Sequence, residues 1–129
     1  LVQARPGSTI GEVKRAVAAL GQHREEIDAV VICSDDGDLV ADLPLFDLVT
    51  HADDVTVSGV LAAGGHPEPL TVLPDASVAD VADQLVRTRR SSLLVVDEQG
   101  KALGRILADD VLDALLPERG RLHFPRLLQ

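Results

Sequence analysis

Val95-Val96-Asp97-Glu98-Gln99-Gly100-Lys101-Ala102-Leu103-Gly104-Arg105-Ile106-Leu107-Ala108-Asp109-Asp110-Val111-Leu112 is the stretch whose reading decides the fold. An apolar run meets a polar turn ending in glycine, a second apolar run follows, and an acidic helix start closes the stretch. It reads as strand, tight turn, strand, helix. The same order occurs earlier, in Val31-Ile32-Cys33-Ser34-Asp35-Asp36-Gly37-Asp38-Leu39-Val40-Ala41-Asp42-Leu43-Pro44-Leu45-Phe46-Asp47-Leu48. Gly37 matches Gly100, Ala41 matches Gly104 and Asp47 matches Asp110, each 63 positions apart. Upstream, Pro6 matches Pro74, Thr9 matches Ser77, Ile10 matches Val78 and Val13 matches Val81, each 68 positions apart. The difference falls in a connector around residues 22–26, where an insertion leaves the packed elements in register.

Each half then reads as β-α-β-β-α. Residues 2–4 are a short strand, stopped by Arg5-Pro6-Gly7. Thr9 and Glu12 have the spacing of a capping box, and Ile10, Val13, Val17 and Leu20 follow at helical spacing, so residues 9–21 predict an amphipathic helix. Residues 29–33 are a β-branched buried strand, Asp35-Asp36-Gly37 a hairpin turn, and residues 38–42 the return strand. Pro44 suits the first turn of a helix ending near Thr50. Residues 55–63 form an apolar link with about one helical turn, and Gly64, Gly65, Pro67 and Pro69 mark a linker. Residues 70–73 are the leading strand of the second half. Ser77 caps a helix carrying Val78, Val81, Ala82, Leu85 and Val86 on one face, with Arg87, Arg89 and Arg90 at its C-terminal end. Strands at 92–96 and 101–107 follow, then a helix over 108–116 stopped by Pro117.

The expected fold is α/β of the α+β kind, two β-α-β-β-α repeats packed with pseudo-two-fold symmetry. The first repeat is placed at 1–58, the linker at 59–69, the second repeat at 70–117 and an Arg-rich tail at 118–129. A half of this size has a marginal core, which is why the halves come as a pair.

Composition narrows the function classes. The core must be aliphatic, because the chain has two Phe and no Trp, Tyr or Met. Base-stacking platforms and aromatic cation cages are thereby disfavoured. The lack of Met is also expected of a piece of a longer chain. A net charge of −9 disfavours nucleic acid and anionic membranes and favours cations or basic partners. The single cysteine, Cys33, excludes an internal disulfide and reads as a buried thiol. No apolar run approaches the roughly 20 residues that span a bilayer, so no direct membrane insertion is expected.

The repeated motif resembles that of the tandem CBS domain pair, or Bateman module. Val96-Asp97-Glu98-Gln99-Gly100 and Gly104-Arg105-Ile106-Leu107-Ala108-Asp109-Asp110 stand where that family has Val-Asp-x-x-Gly and Gly-apolar-apolar-Thr-x-x-Asp. The resemblance implies clefts between the repeats that take adenine nucleotides, with Asp47, Asp110, Gly104 and Arg105 as candidate contacts. The sequence departs from the pattern at Leu107 and Pro44, which lack the motif hydroxyl, and at Ala41, which replaces the motif glycine. Asp47 and Asp110 also have a plain structural reading, as acids favoured at helix starts.

A closer resemblance is to the cytosolic CBS region of MgtE-type magnesium transporters and their soluble relatives. Asp109-Asp110-Val111-Leu112-Asp113 is similar to that group's last CBS helix, and Pro44-Leu45-Phe46-Asp47-Leu48 to its Ser-Leu-Arg-Asp-Leu. It implies a non-enzymatic regulatory module that is cytoplasmic, dimerises through its CBS modules, responds to magnesium and acts on an attached transporter or effector. Asp109 and Asp113 lie four apart, Asp110 and Asp113 three apart, so each pair shares a helix face and repels without a counter-ion. Magnesium takes oxygen ligands, needs one or two carboxylates and keeps several waters. Asp109, Asp110, Asp113 and Glu118, together with Asp53 and Asp54, are the candidate cation ligands. A solvated acidic face is the alternative reading of each cluster, and turn formation that of Asp35, Asp36 and Asp38 around Gly37. Two rivals remain open: an adenine-nucleotide sensor, and a dimerisation module that binds neither ligand. His23, His51, His66 and His123 show no metal-ligand spacing with Cys33, and Ser91-Ser92 has no evident base partner, so no catalytic residue is assigned.

Overall fold

The computed structural model of the protein describes residues 1–20 and 27–115. Thr9 and Glu12 form the expected capping box, and α1 runs over Ile10–Ala18 after the short strand β1, Gln3–Ala4. The Thr9 backbone N–H and then its hydroxyl hold the Glu12 carboxyl below its ordinary pKa. The first hairpin is β2, Ala29–Cys33, and β3, Leu39–Pro44. Its turn depends on Gly37, whose φ of 89° is open to glycine at no steric cost. Pro44 is the last residue of β3 rather than the first of the helix. Its φ of −61° leads straight into α2, Leu45–Thr50, without a side-chain cap.

The second repeat follows the same plan. It comprises β4 (Thr71–Val72), α4 (Val78–Thr88), β5 (Ser92–Val96), β6 (Ala102–Leu107) and α5 (Ala108–Leu115). α4 is capped by the Ser77 hydroxyl, which accepts from the Asp80 N–H at 3.1 Å. The β5–β6 turn has Gly100 at φ 85°, and the Asp97 carboxylate accepts from the N–H groups of Gln99 and Lys101, both at 2.9 Å.

The two sheets have one topology. β1 pairs parallel with β2 and β2 antiparallel with β3; β4, β5 and β6 pair likewise. Even the irregularity repeats, with the register shifting between Ile32 and Cys33 in one sheet and between Val95 and Val96 in the other. Each sheet buries one face under its own helices. Ile10, Val13, Val30, Ile32, Leu43 and Leu48 build the first core, and Val72, Val81, Leu85, Leu93 and Val111 the second. The opposite faces meet each other through Val31, Cys33 and Leu94, flanked by Leu39 and Ala102. Burial pushes the Cys33 thiol pKa up, with the Asp38 charge adding to it, so this thiol is held as a packing group.

The expected one-turn link after Asp54 is a six-residue helix, α3, Val57–Ala62, capped by the Thr56 hydroxyl. Val57 and Val60 are buried in the first core, so α3 is a structural part of that repeat although it straddles the boundary read at 58. It is strapped on by backbone bonds from Ile10 N–H to the Val55 carbonyl and from Val57 N–H to the Ser8 carbonyl, both 2.8 Å. The expected connector at 22–26, the last residue of the final helix and the Arg-rich tail lie outside the described residues. No described helix is long and apolar enough to cross a membrane.

Candidate functional site

Repeat symmetry produces two clefts on the rim of the sheet–sheet contact. The first, about 370 Å³, lies between the chain start (Leu1, Val2), Ile27, Ala29 and the strand β6 with the head of α5: Leu103, Gly104, Arg105, Leu107 and Asp110. The second, about 560 Å³, has Val40 and Ala41 where the first has Leu103 and Gly104, and is closed by linker residues His66, Pro67, Glu68 and Pro69. Gly104 leaves its wall bare, since a Cβ built there would meet nothing within 4 Å.

The two motif carboxylates, matched in sequence, have different surroundings. Asp110 is exposed at the head of α5 and borders the first cleft. Asp47 is largely buried, its Oδ2 3.0 Å from Nε2 of His66. His51, one turn on, has Nδ1 3.0 Å from the Asp47 carbonyl oxygen and 3.8 Å from Oδ1. The linker thus puts a histidine on the carboxylate that the first copy offers, while the second copy keeps its own open. The His66–Asp47 contact is not legible in the sequence, because the partners lie 19 positions apart, outside any local spacing rule.

Arg105, a candidate ligand contact, lines the first cleft, but its guanidinium is engaged by groups of the protein. Its guanidinium donates to both Asp42 oxygens at 2.6 and 2.9 Å, to Ser92 Oγ at 2.9 Å and to the Ala29 carbonyl at 3.3 Å. Asp28 Oδ1 lies 3.5 Å from it. Asp28 also accepts from the hydroxyls of Ser91 and Ser92. Burial alone would lower the Arg105 pKa, but the hydrogen bonds and charge of Asp42, with the charge of Asp28, outweigh it and raise the pKa. The guanidinium is a fixed cation in the contact between the sheets, and both of its terminal nitrogens donate to the protein.

The acidic clusters also separate. Asp53 is paired with Lys14 at 2.8 Å, and that hydrogen bond, then the Lys14 charge, lowers its pKa. Asp54 is exposed beside it. Asp35 is paired with Arg5 at 2.8 Å and Asp38 with Lys101 at 3.5 Å. Asp109, Asp110 and Asp113 are exposed on α5 and have no ion-pair partner among the described residues. Glu118 lies outside the described residues. Within one chain, no three His, Cys, Asp or Glu side chains converge on a common point among the described residues. A cation held by α5 would therefore take one or two of its carboxylates and complete its shell with water or another molecule.

The CBS domain family matches residues 65–117. Over 117 residues, 91% of this chain, the sequence is 30% identical to the magnesium transporter MgtE of Thermus thermophilus. The chain spans 25% of that relative's length. Among solved structures, the cytosolic domain of the Mg2+ channel MgtE in complex with ATP matches with a TM-score of 0.78 at 29% identity, over 88% of this chain and 44% of that one. CBSX2 in complex with AMP has the same fold, with a TM-score of 0.69 at 22% identity over 92% of this chain and 90% of that one.

Proposed function

The chain is a CBS pair homologous to the cytosolic CBS region of a magnesium transporter, and from that premise we propose that it is a non-enzymatic regulatory module responding to magnesium. The observation that carries this reading is the acidic head of α5. Asp109, Asp110 and Asp113 stand exposed on one short helix without a counter-cation among the described residues. Their mutual repulsion is relieved when a hydrated divalent cation sits between them and an acidic group of a second copy of the chain. The module then takes a compact dimeric pose at high cation and a looser one at low cation, and an attached transporter on the cytoplasmic side reads the difference. The cation shifts the pose by its differential affinity for the two arrangements.

The test is thermal unfolding with magnesium against sodium at matched ionic strength, with sedimentation in parallel. At a tenfold excess over Kd, magnesium should raise stability by about 1.4 kcal/mol, roughly 4 °C. The triple variant Asp109→Asn, Asp110→Asn, Asp113→Asn should lose that response and keep its fold. An unchanged midpoint and unchanged mass with millimolar magnesium would refute the cation reading.

A second reading, an adenine nucleotide in the first cleft, is favoured by the open space over Gly104 with Asp110 on its rim. The MgtE cytosolic domain that this chain resembles was solved with ATP. Gly104 supplies the bare backbone that lets a flat base approach, and Asp110 an acceptor for ribose hydroxyls. Because a Cβ at Gly104 meets no protein atom, Gly104→Ala should leave the melting temperature within about 2 °C. The same change should weaken ATP binding about tenfold by calorimetry. Equal ATP affinity in the variant and the parent would place the nucleotide elsewhere.

A further inference from the structure

Three of the side-chain contacts between the two repeats follow one rule of numbering. Arg105 meets Asp42, Lys101 meets Asp38 and Ser91 meets Asp28, and in each case the partners are 63 residues apart. That interval is the repeat itself, so every one of these residues faces its own counterpart. A two-fold axis has this effect, since a residue lying on it touches its symmetry mate. Had the repeats stayed identical, like would face like along the axis. In the apolar middle it nearly does, where one cluster holds Val31 with its counterpart Leu94 and Leu39 with its counterpart Ala102. At the polar positions the halves have diverged in one direction. The first repeat supplies an acid each time, and the second supplies arginine, lysine or a hydroxyl.

We infer that the axial face of each repeat is a recognition surface for the other repeat and excludes its own kind. The apolar centre fits any combination and contributes no choice. The charges make the choice. Two first repeats brought together would set Asp28, Asp38 and Asp42 against their copies, with no cation among them. Two second repeats would oppose Arg105 to Arg105 and Lys101 to Lys101. Both arrangements oppose like charges, and at the mostly buried position of Asp42 and Arg105 they would do so with little water to screen them, which disfavours like-with-like pairing. The partner that fits is a surface carrying the opposite charge at the same three positions: the other repeat of this chain, or that repeat in a second copy. This rule is separate from any ligand. It also bears on the first cleft, because Arg105, which lines it, has its guanidinium held by Asp42.

The test is a charge swap in the full chain. Asp42→Arg alone and Arg105→Asp alone should each lower the thermal midpoint by about 10 °C or more, because each opposes two like charges in a mostly buried place. The double variant restores opposite charges with the polarity inverted, and should recover at least half of the larger loss. Reversal at a buried pair can prevent folding, so the same cycle is made at Asp38 and Lys101, which are about half exposed. There Asp38→Lys and Lys101→Asp should each cost roughly 2–5 °C, and the double should return to within about 1 °C of the parent. A mixture of the two single variants, Asp42→Arg and Arg105→Asp, provides a further check. It should form a one-to-one exchanged dimer more stable than either variant alone. Between chains, the introduced arginine of one variant then meets the introduced aspartate of the other, and the unchanged Asp42 meets the unchanged Arg105. Doubles that show only the sum of the single losses at both pairs would overturn the inference.

Discussion

Truncating Leu94 to alanine is expected to lower the unfolding free energy by about 3–4 kcal/mol, among the largest effects of any single core change in this chain. Leu94 is fully buried in the middle of β5, and its side chain points into the contact between the sheets, with Val31 and Cys33. The position serves both repeats at once. A cavity there removes packing from the surface that joins them, whereas a change at Leu93 empties only the second core. Urea unfolding followed by circular dichroism gives the number. A single transition with unchanged slope would show that the halves still unfold together, as a domain of this size normally does. Two separated transitions would show that Leu94 couples them. Val86→Ala, at a side chain 76% exposed on α4, is the control and should stay within about 0.5 kcal/mol.

Arg105→Met should cost about 3–5 kcal/mol, because it leaves the mostly buried Asp42 and its neighbour Asp28 without their cation. The instructive comparison is Asp42→Leu combined with Arg105→Met. Replacing both members of a buried ion pair by apolar groups of similar size is often neutral or stabilising. The double should therefore recover most of the loss and approach the parent protein in the same urea measurement. If it does, the pair contributes little net stability and is retained for the match it enforces between unlike repeats. A double as unstable as Arg105→Met alone would mean that the network of Arg105, Ser92, Asp28 and the Ala29 carbonyl acts as one unit, in which no member can be dropped.

The elements of this fold were legible because their causes are local. Thr9 with Glu12, and Ser77 with the N–H of Asp80, act within one helical turn. Gly37 and Gly100 permit a backbone angle that few other residues adopt, and their hairpins follow from it. The same order of such signals in both halves, offset only by the connector near residues 22–26, gave the repeat, the shared sheet topology and the family resemblance. Legibility failed where a short apolar run could be packed in more than one way. The segment around Val57 and Val60 announced only about one helical turn, and its burial comes from contact with α1 and the first sheet.

The candidate site was legible in its parts and not in its electrostatics. Asp47 and Asp110 are equivalent in sequence, yet His66 covers one and leaves the other open. Asp53 and Asp109 look alike as surface acids, yet Lys14 neutralises the first. Arg105 could be placed on the cleft wall from the motif, but the direction of its guanidinium depends on Asp42, which belongs to the other repeat. Taken alone, the sequence determined which residues form each strand and helix, and that the whole is a doubled unit, because turns, caps and periodicity act over a few neighbouring residues. Only the tertiary structure decided which charges are spent and which remain for a ligand, because a side chain's partner is chosen by the packing of two sheets that bring residues 63 positions apart within hydrogen-bond reach.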